Sequence, residues 1–260
     1  MAFKKLKYWF DTNLADFLSE KILKVYPDFD NKIFCKNVTK KIEPLELKDR
    51  VEVFCDELHF CLKGDYKNNI KILIKILGPE NDKETGMFKE FYWIMPIAKY
   101  VEKYGANDFE ISLKAIEEIT KRNTGEYAIR PYLEIYPEET LKRMLKWSTN
   151  KNKHIRRLAS EGVRPRLPWA KKMQQFIDCP EKIIPILENL KNDASKYVQN
   201  SVANCLNDIL KDNETIGREV IKNWIQKPTK QRKWIVMHAI RNFRKKEIAW
   251  AMEVKKELEN

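Results

Sequence analysis

The chain has 260 residues, 43% hydrophobic and 34% charged, with 50 Lys and Arg against 38 Asp and Glu for a net charge of +12. That apolar content over that length fills one sizeable core or two small ones, which excludes a disordered tail and a disulfide-stapled miniprotein. Only 7 Gly stand among many Lys, Glu, Leu and Ile, so tight turns are few and helix formers many; this argues against a sandwich, a barrel or a Gly-looped nucleotide fold.

Apolar residues recur at three- and four-residue steps and predict helices near 5–25, 47–62, 65–77, 87–104, 108–122, 125–134, 138–148, 153–161, 181–191, 195–211, 215–227, 231–244 and 246–258. Gly78-Pro79, Gly105-Ala106-Asn107-Asp108, Tyr136-Pro137, Asn150-Lys151-Asn152, Cys179-Pro180 and Lys227-Pro228 punctuate them. No segment alternates as a strand does. Glu138–Trp147 with Ile155–Glu161, Glu181–Leu190 with Tyr197–Leu210, and Thr215–Ile225 with Gln231–Arg244 read as three helix-turn-helix units of about 35 to 45 residues, the period of HEAT-like repeats. A bundle of unrelated hairpins shares that pattern. The expected architecture is an all-α, HEAT-like helical-repeat solenoid forming one domain over 1–260. Residues 1–90 would be an N-terminal cap, 91–245 the repeat units and 246–260 a C-terminal helix.

At a shift of 37 residues the second helices of the last two units superpose. Val198, Val202 and Leu206 then fall on Ile235, Ala239 and Phe243 as a buried stripe. Tyr197, Ser201, Asn204 and Asp208 fall on Trp234, His238, Arg241 and Lys245 along one polar face. That face reads either as a binding groove or as a solvated outer surface.

Five Cys, odd in number and without a C-x-x-C, read as reduced thiols. The opening Met1-Ala2-Phe3-Lys4-Lys5-Leu6 has no apolar run after its basic residues and so is not a secretory signal, and no stretch approaches the length of uncharged apolar sequence that a membrane span needs. A cytoplasmic protein is expected, and a monomer, since no self-association seam is evident.

The positive charge is concentrated. Residues 141–180 hold eleven Lys and Arg against Glu161 and Asp178, residues 218–246 hold ten against Glu219, and these two blocks of +9 leave −6 on the rest of a chain whose total is +12. Such arrays suit phosphate backbones, with Lys as a mobile point charge and Arg as a bidentate fork, although any one of these side chains alone reads as a solvated charge. Acidic protein partners are the competing class.

Conventional catalytic signals are missing. His59, His154 and His238 lie far apart, and no H-E-x-x-H, G-x-G-x-x-G or P-loop occurs, so neither a metal nor a nucleotide cofactor is expected. One uncommon run is Ile155-Arg156-Arg157-Leu158-Ala159-Ser160-Glu161-Gly162-Val163-Arg164-Pro165-Arg166-Leu167-Pro168-Trp169. Gly162 ends a helix and two Pro stiffen a basic connector that finishes in Trp169, read as a core anchor or as a groove-facing, stacking ring.

The phrase Arg156 to Trp169, the phrase Ser201-Val202-Ala203-Asn204-Cys205-Leu206-Asn207-Asp208-Ile209 and the phrase Glu126-Tyr127-Ala128-Ile129-Arg130-Pro131-Tyr132-Leu133 resemble the HEAT-like-repeat DNA alkylation repair glycosylases, specifically the AlkC branch, related to AlkD. The similarity runs from about Phe91 to Arg244 and continues more weakly toward the N-terminus. The resemblance implies excision of alkylated, positively charged bases of the 3-methyladenine type from duplex DNA without metal or nucleotide. It also implies a pocket of two acids and a Trp, which map onto Glu126, Asp208 and Trp169. Arg156, Arg157, Arg164, Arg166, Arg241 and Arg244 are the candidate phosphate contacts. Cys205 stands where the family pattern leads us to expect His, and Gly125 precedes Glu126. The chain ends within a helix, so the C-terminal immunoglobulin-like domain of longer relatives is not expected in it. Read without the resemblance, Asp208 is also a cap or an ion-pair partner of Lys211, and Glu126 an N-terminal helix charge. A non-catalytic nucleic-acid-binding solenoid and a HEAT scaffold for an acidic protein are the alternatives.

Overall fold

A computed structural model of the protein describes residues 4–85 and 88–259; Met1 to Phe3, and Met87 where the helix expected over 87–104 begins, lie outside the described residues. Side-chain caps decide where many helices start. Asp11, Asp30 and Asp65 accept from the backbone N–H of Leu14, Ile33 and Asn68, opening α1 (Thr12–Leu23), α2 (Asn31–Ile42) and, after α3 (Leu47–Cys61), α4 (Tyr66–Lys75). With α5 (Phe88–Phe91), α6 (Met95–Tyr104), α7 (Phe109–Thr120) and α8 (Arg130–Ile135) these form the first of two compact units, residues 1–135. In it α1 packs on α2, α2 on α3, α3 on α6 and α6 on α7.

Among the described residues every regular element is helical, as the composition requires. Before residue 105, three details depart from the sequence expectation. Residues 26–46, left there without an element, contain α2; Lys32, Lys36, Lys40 and Lys41 dilute its pattern to the single stripe Phe34, Val38 and Ile42, which is buried. The helix expected over 5–25 is a 3-10 turn, Leu6–Trp9, separated from α1 by the Asp11 cap. The expected 87–104 helix is interrupted by a 3-10 turn, Tyr92–Ile94, ahead of Pro96.

The second unit, residues 136–260, contains the three expected hairpins. They are α9 (Pro137–Trp147) with α10 (Lys153–Gly162) and, beyond the short α11 (Gln174–Asp178), α12 (Ile184–Leu190) with α13 (Lys196–Asp212) and α14 (Glu214–Trp224) with α15 (Lys230–Ala239). α10, α13 and α15 lie side by side as one layer, so α13 is buried nearly all round. The shift of 37 is physical: Arg241 Nη2 donates to Asn204 Oδ1 at 2.9 Å, across equivalent positions of successive repeats. After α16 (Arg241–Lys245), the N–H of Ile248 bonds the carbonyl of Phe243 and that of Glu247 bonds Arg244, with Glu247 at φ 53; this is a Schellman stop using a residue other than Gly. α17 (Ala249–Glu259) follows. No helix among the described residues is long and apolar enough to cross a membrane.

Gly105, after α6, is surrounded by hydroxyls. Tyr66 OH and Ser112 Oγ bond at 2.7 Å, Ser112 Oγ donates to the Gly105 carbonyl at 2.9 Å, and Tyr132 OH donates to the Val101 carbonyl at 2.9 Å. A Cβ at Gly105 would collide with all three hydroxyl oxygens. Gly105→Ala should therefore cost about 2–3 kcal/mol by overpacking and broken bonds, read as a lowered urea midpoint with an unchanged slope.

Candidate nucleic-acid interface and active site

The polar face of α13 is neither a free groove nor a solvated surface at two of its four positions. Ser201 and Asp208 are each 2% exposed and lie in the seam with α10 and the connector behind it. They can be buried because that seam supplies partners. Ser201 Oγ donates to Glu161 Oε2 at 2.7 Å and lies 2.7 Å from Ser160 Oγ. Arg164 donates from Nε to Asp208 Oδ2 at 2.9 Å and from Nη1 to Glu161 Oε1 at 2.8 Å. Lys211 Nζ stands 3.5 Å from Asp208 Oδ1, the ion pair that one of the sequence readings of Asp208 expects.

Arg164 is buried between two acids. Burial works against its charge, but Glu161 and Asp208 overcome that and hold its pKa above the ordinary arginine value. Burial likewise pushes Glu161 toward its neutral form; Arg157 and Arg164, with the Ser201 hydrogen bond, outweigh it and hold the carboxyl below the ordinary glutamate range. The result is a water-poor, hydrogen-bonded charge cluster that fixes the Asp208 carboxylate in one orientation.

From Arg164 the chain runs through the connector. Met173 N–H bonds the Pro165 carbonyl at 3.0 Å, and Ala170 N–H bonds the Leu167 carbonyl at 3.2 Å. Pro168 therefore occupies the second position of a β-turn and Trp169 the third, with φ 63. This is the type II pattern, whose third position normally takes Gly. A Trp there carries the left-handed penalty of roughly 1–2 kcal/mol, yet it is 70% exposed, so of its two sequence readings the core anchor is excluded.

Glu126 belongs to the first unit, in the turn that leads into α8; it is buried, at 7% exposed. The helix expected over 125–134 begins only at Arg130. Gly125 is required for this turn to lie against α7: a Cβ on it would stand 2.6 Å from Thr120 Oγ1 and 2.9 Å from Ile116 Cγ2. The departure noted before Glu126 is thus a close-packing requirement.

The six candidate arginines differ in what they hold. Arg156 grips Asp193 with Nε at 2.6 Å and Nη2 at 3.0 Å, and its Nη1 donates to the carbonyls of Asn150 and Lys151. Arg166 forks onto Asp212 with Nε at 2.7 Å. Arg157 lies over the Tyr197 ring at 5.0 Å and 3.5 Å from Glu161. Among the described residues Arg241 and Arg244 bond carbonyl or amide oxygens only: His238 and Asn204 for the first, Met237 for the second. Cys205, in the position where His was expected, is a core residue whose thiol burial pushes well above its ordinary pKa. Among the described residues no group of three or more His, Cys, Asp or Glu is placed to hold a metal ion.

Sequence reasoning missed Glu161, Ser160 and Ser201 as the support of Asp208. The signal was available: Glu161 is one of two acids in a block of eleven cations, one helical turn after Arg157 and three residues before Arg164.

The fold and the cluster define an all-helical repeat protein with an acid held inside a basic layer. A family model described as DNA alkylation repair enzyme matches residues 94–243. The chain is 37% identical over 242 residues to YhaZ, an uncharacterized protein of Bacillus subtilis (strain 168), in an alignment covering 93% of this chain and 65% of that relative. It is 33% identical to the Pseudomonas fluorescens alkylpurine DNA glycosylase AlkC bound to DNA containing an abasic site analog, with a TM-score of 0.89 over 98% of this chain and 69% of that one. The chain thus spans about two thirds of the length of the curated relative it matches. It belongs to the DNA alkylation repair enzyme family.

Two stability measurements test the cluster. Arg164→Met leaves two buried carboxylates facing each other and should cost about 3–5 kcal/mol in urea unfolding. Glu161 contributes through a depressed pKa, so its share of stability is complete above the ordinary glutamate value of 4.5 and is lost as pH falls through its lower folded value. The urea midpoints of wild type and Glu161→Gln should therefore differ at neutral pH and converge in acid.

Proposed function

We propose that the protein is a DNA glycosylase that hydrolyses the N-glycosidic bond of alkylated, positively charged bases of the 3-methyladenine type in duplex DNA, initiating base excision repair. The observation that carries this reading is the likeness of nearly the whole chain to a DNA-bound alkylpurine glycosylase. The buried acid cluster beside an exposed, strained Trp supports it.

Alkylation at a purine ring nitrogen places a positive charge on the base, which makes it a good leaving group without a general acid. The C1′–N bond breaks with its electron pair going to the base, which departs neutral, and the sugar becomes an oxocarbenium-like cation. Water adds at C1′ and loses a proton, leaving an abasic site. In this reading Asp208, oriented by Arg164, stabilises the developing cation electrostatically, and its burial strengthens that field. Glu126 orients or deprotonates the water. Trp169, held outward by its turn, offers a ring face to the cationic base and sugar, worth roughly 0.5–2 kcal/mol per contact. Arg157, Arg241 and Arg244 contact phosphates, whereas Arg156, Arg164 and Arg166 serve chiefly through the carboxylates they bind.

The reading requires no metal or nucleotide, and takes the protein as a cytoplasmic monomer; its five Cys are all unpaired thiols, which suits a reducing compartment.

Methylated duplex incubated with the protein should release 3-methyladenine. Asp208→Asn and Glu126→Gln should each lower the single-turnover rate by about 10²–10³-fold. Undiminished release by both variants would remove the acids from the mechanism. No release by a wild type that binds the duplex would leave a non-catalytic DNA-binding solenoid.

A further inference from the structure

The basic side chains of the second unit fall into two groups. Arg156, Arg164 and Arg166 each meet a carboxylate. Around the end of α15 the opposite holds. Lys196 has Gln199 Oε1 at 3.4 Å, Arg241 has the His238 carbonyl and Asn204, and Arg244 has the Met237 carbonyl; among the described residues none of the three has a carboxylate within ion-pair distance.

These cations surround a built feature. Trp234 and His238, one turn apart on α15, stack with ring centroids 4.8 Å apart and planes 12° from parallel. Lys196, the first residue of α13, lies over the Trp234 ring. Arg241 is pinned next to His238 by its 2.7 Å bond to that residue's carbonyl and its 2.9 Å bond to Asn204. The Arg244 Nε is buried without an acceptor. The charges acting on His238 are Arg241 and Arg244 from α16 and Lys196 from α13, all positive; Asp208 acts on Arg241. Burial first, then those three cations, lowers the His238 pKa from 6.5, and burial also lowers those of Lys196 and Arg241. With no anion present the cluster limits its own repulsion by keeping His238 neutral.

We propose that Lys196, His238 and Arg241 form a proton-linked phosphate subsite: they hold one backbone phosphate of the DNA, and His238 takes up a proton as that phosphate arrives. The inference rests on the DNA-binding reading above. A phosphodiester has two charged, non-bridging oxygens that accept from several donors at once, which suits a guanidinium, an ammonium and an imidazolium converging from three helices. Its charge reverses the sign of the field at His238, so binding phosphate and binding a proton favour each other. Trp234, stacked on His238 and covered by Lys196, keeps both in place.

The test follows the His238 Cε1–H resonance of the full chain by NMR from about pH 5 to about pH 8, where imidazole titrates. It is assigned among the three His by comparison with His238→Gln. The protein is measured alone, with undamaged duplex, and with inorganic phosphate at matched ionic strength. Duplex should raise the midpoint by about one pH unit, and inorganic phosphate by less, because a free anion is not held in register by neighbouring contacts. Arg241→Gln should weaken duplex binding about tenfold and reduce the log–log salt slope by about 1. The weakening caused by His238→Gln should shrink as the pH is raised from about 6 to about 8. A midpoint that does not move with a duplex shown by fluorescence anisotropy to be bound overturns the subsite and leaves the DNA reading standing. A midpoint raised as much by inorganic phosphate as by bound duplex overturns it too, as a site for free anions. Failure to bind any duplex at low salt overturns both readings.

Discussion

The buried guanidinium of Arg164 is the constraint on which the second unit depends. Taking an arginine and two carboxylates out of water costs several kcal/mol per ion, and only close hydrogen bonds return that cost. The geometry meets the requirement: Arg164, two residues past the end of α10, reaches back to Glu161 on that helix and across to Asp208 on the next repeat, while Ser201 donates to the other oxygen of Glu161 and itself accepts from Ser160. One side chain therefore joins α10 to α13, fixes Asp208 and anchors the connector that carries Trp169. Stability and the candidate chemistry share the same atoms.

The connector shows how a Gly-poor chain makes its turns. Among the described residues one left-handed position falls on a glycine, Gly78, and the others on Trp169, Lys227 and Glu247, where Gly would fit at no steric cost. At Glu247 the result is an ordinary helix stop. At Trp169 the strained backbone sets a large aromatic ring out toward solvent immediately after the buried cluster, an arrangement that packing alone would not select for an indole.

The charge surplus is likewise not one quantity. Much of the first basic block is neutralised within the fold by Asp193, Glu161, Asp208 and Asp212, carboxylates that mostly lie outside that block in sequence. Arginines that look interchangeable by count thus do different work: some cross-link repeats, and others keep charge available for a polyanion. The groups at the end of α15 belong to the second kind, and their mutual repulsion makes the local field responsive to anions and to protons together.

Helix identity, the hairpin period and the register of 37 were legible in the sequence, because they follow from apolar periodicity and from punctuation by Pro, Gly and Asp, which act within a few residues. The phrases around Glu126, Trp169 and Asp208 were legible for the same reason, as local strings. Helix α2 was not, since four lysines masked a stripe of only three apolar residues. Nor was the burial of Ser201 and Asp208, or the partition of the arginines into paired and unpaired. Those depend on which side chains from residues some forty positions apart meet, and a carboxylate at the right distance decides whether a guanidinium is a structural cross-link or a free positive charge. The sequence by itself determined that this is a basic, all-helical repeat protein with a few acids inside its basic blocks; only the tertiary structure decided which charges cancel, because electrostatic energy falls with distance in space and not along the chain.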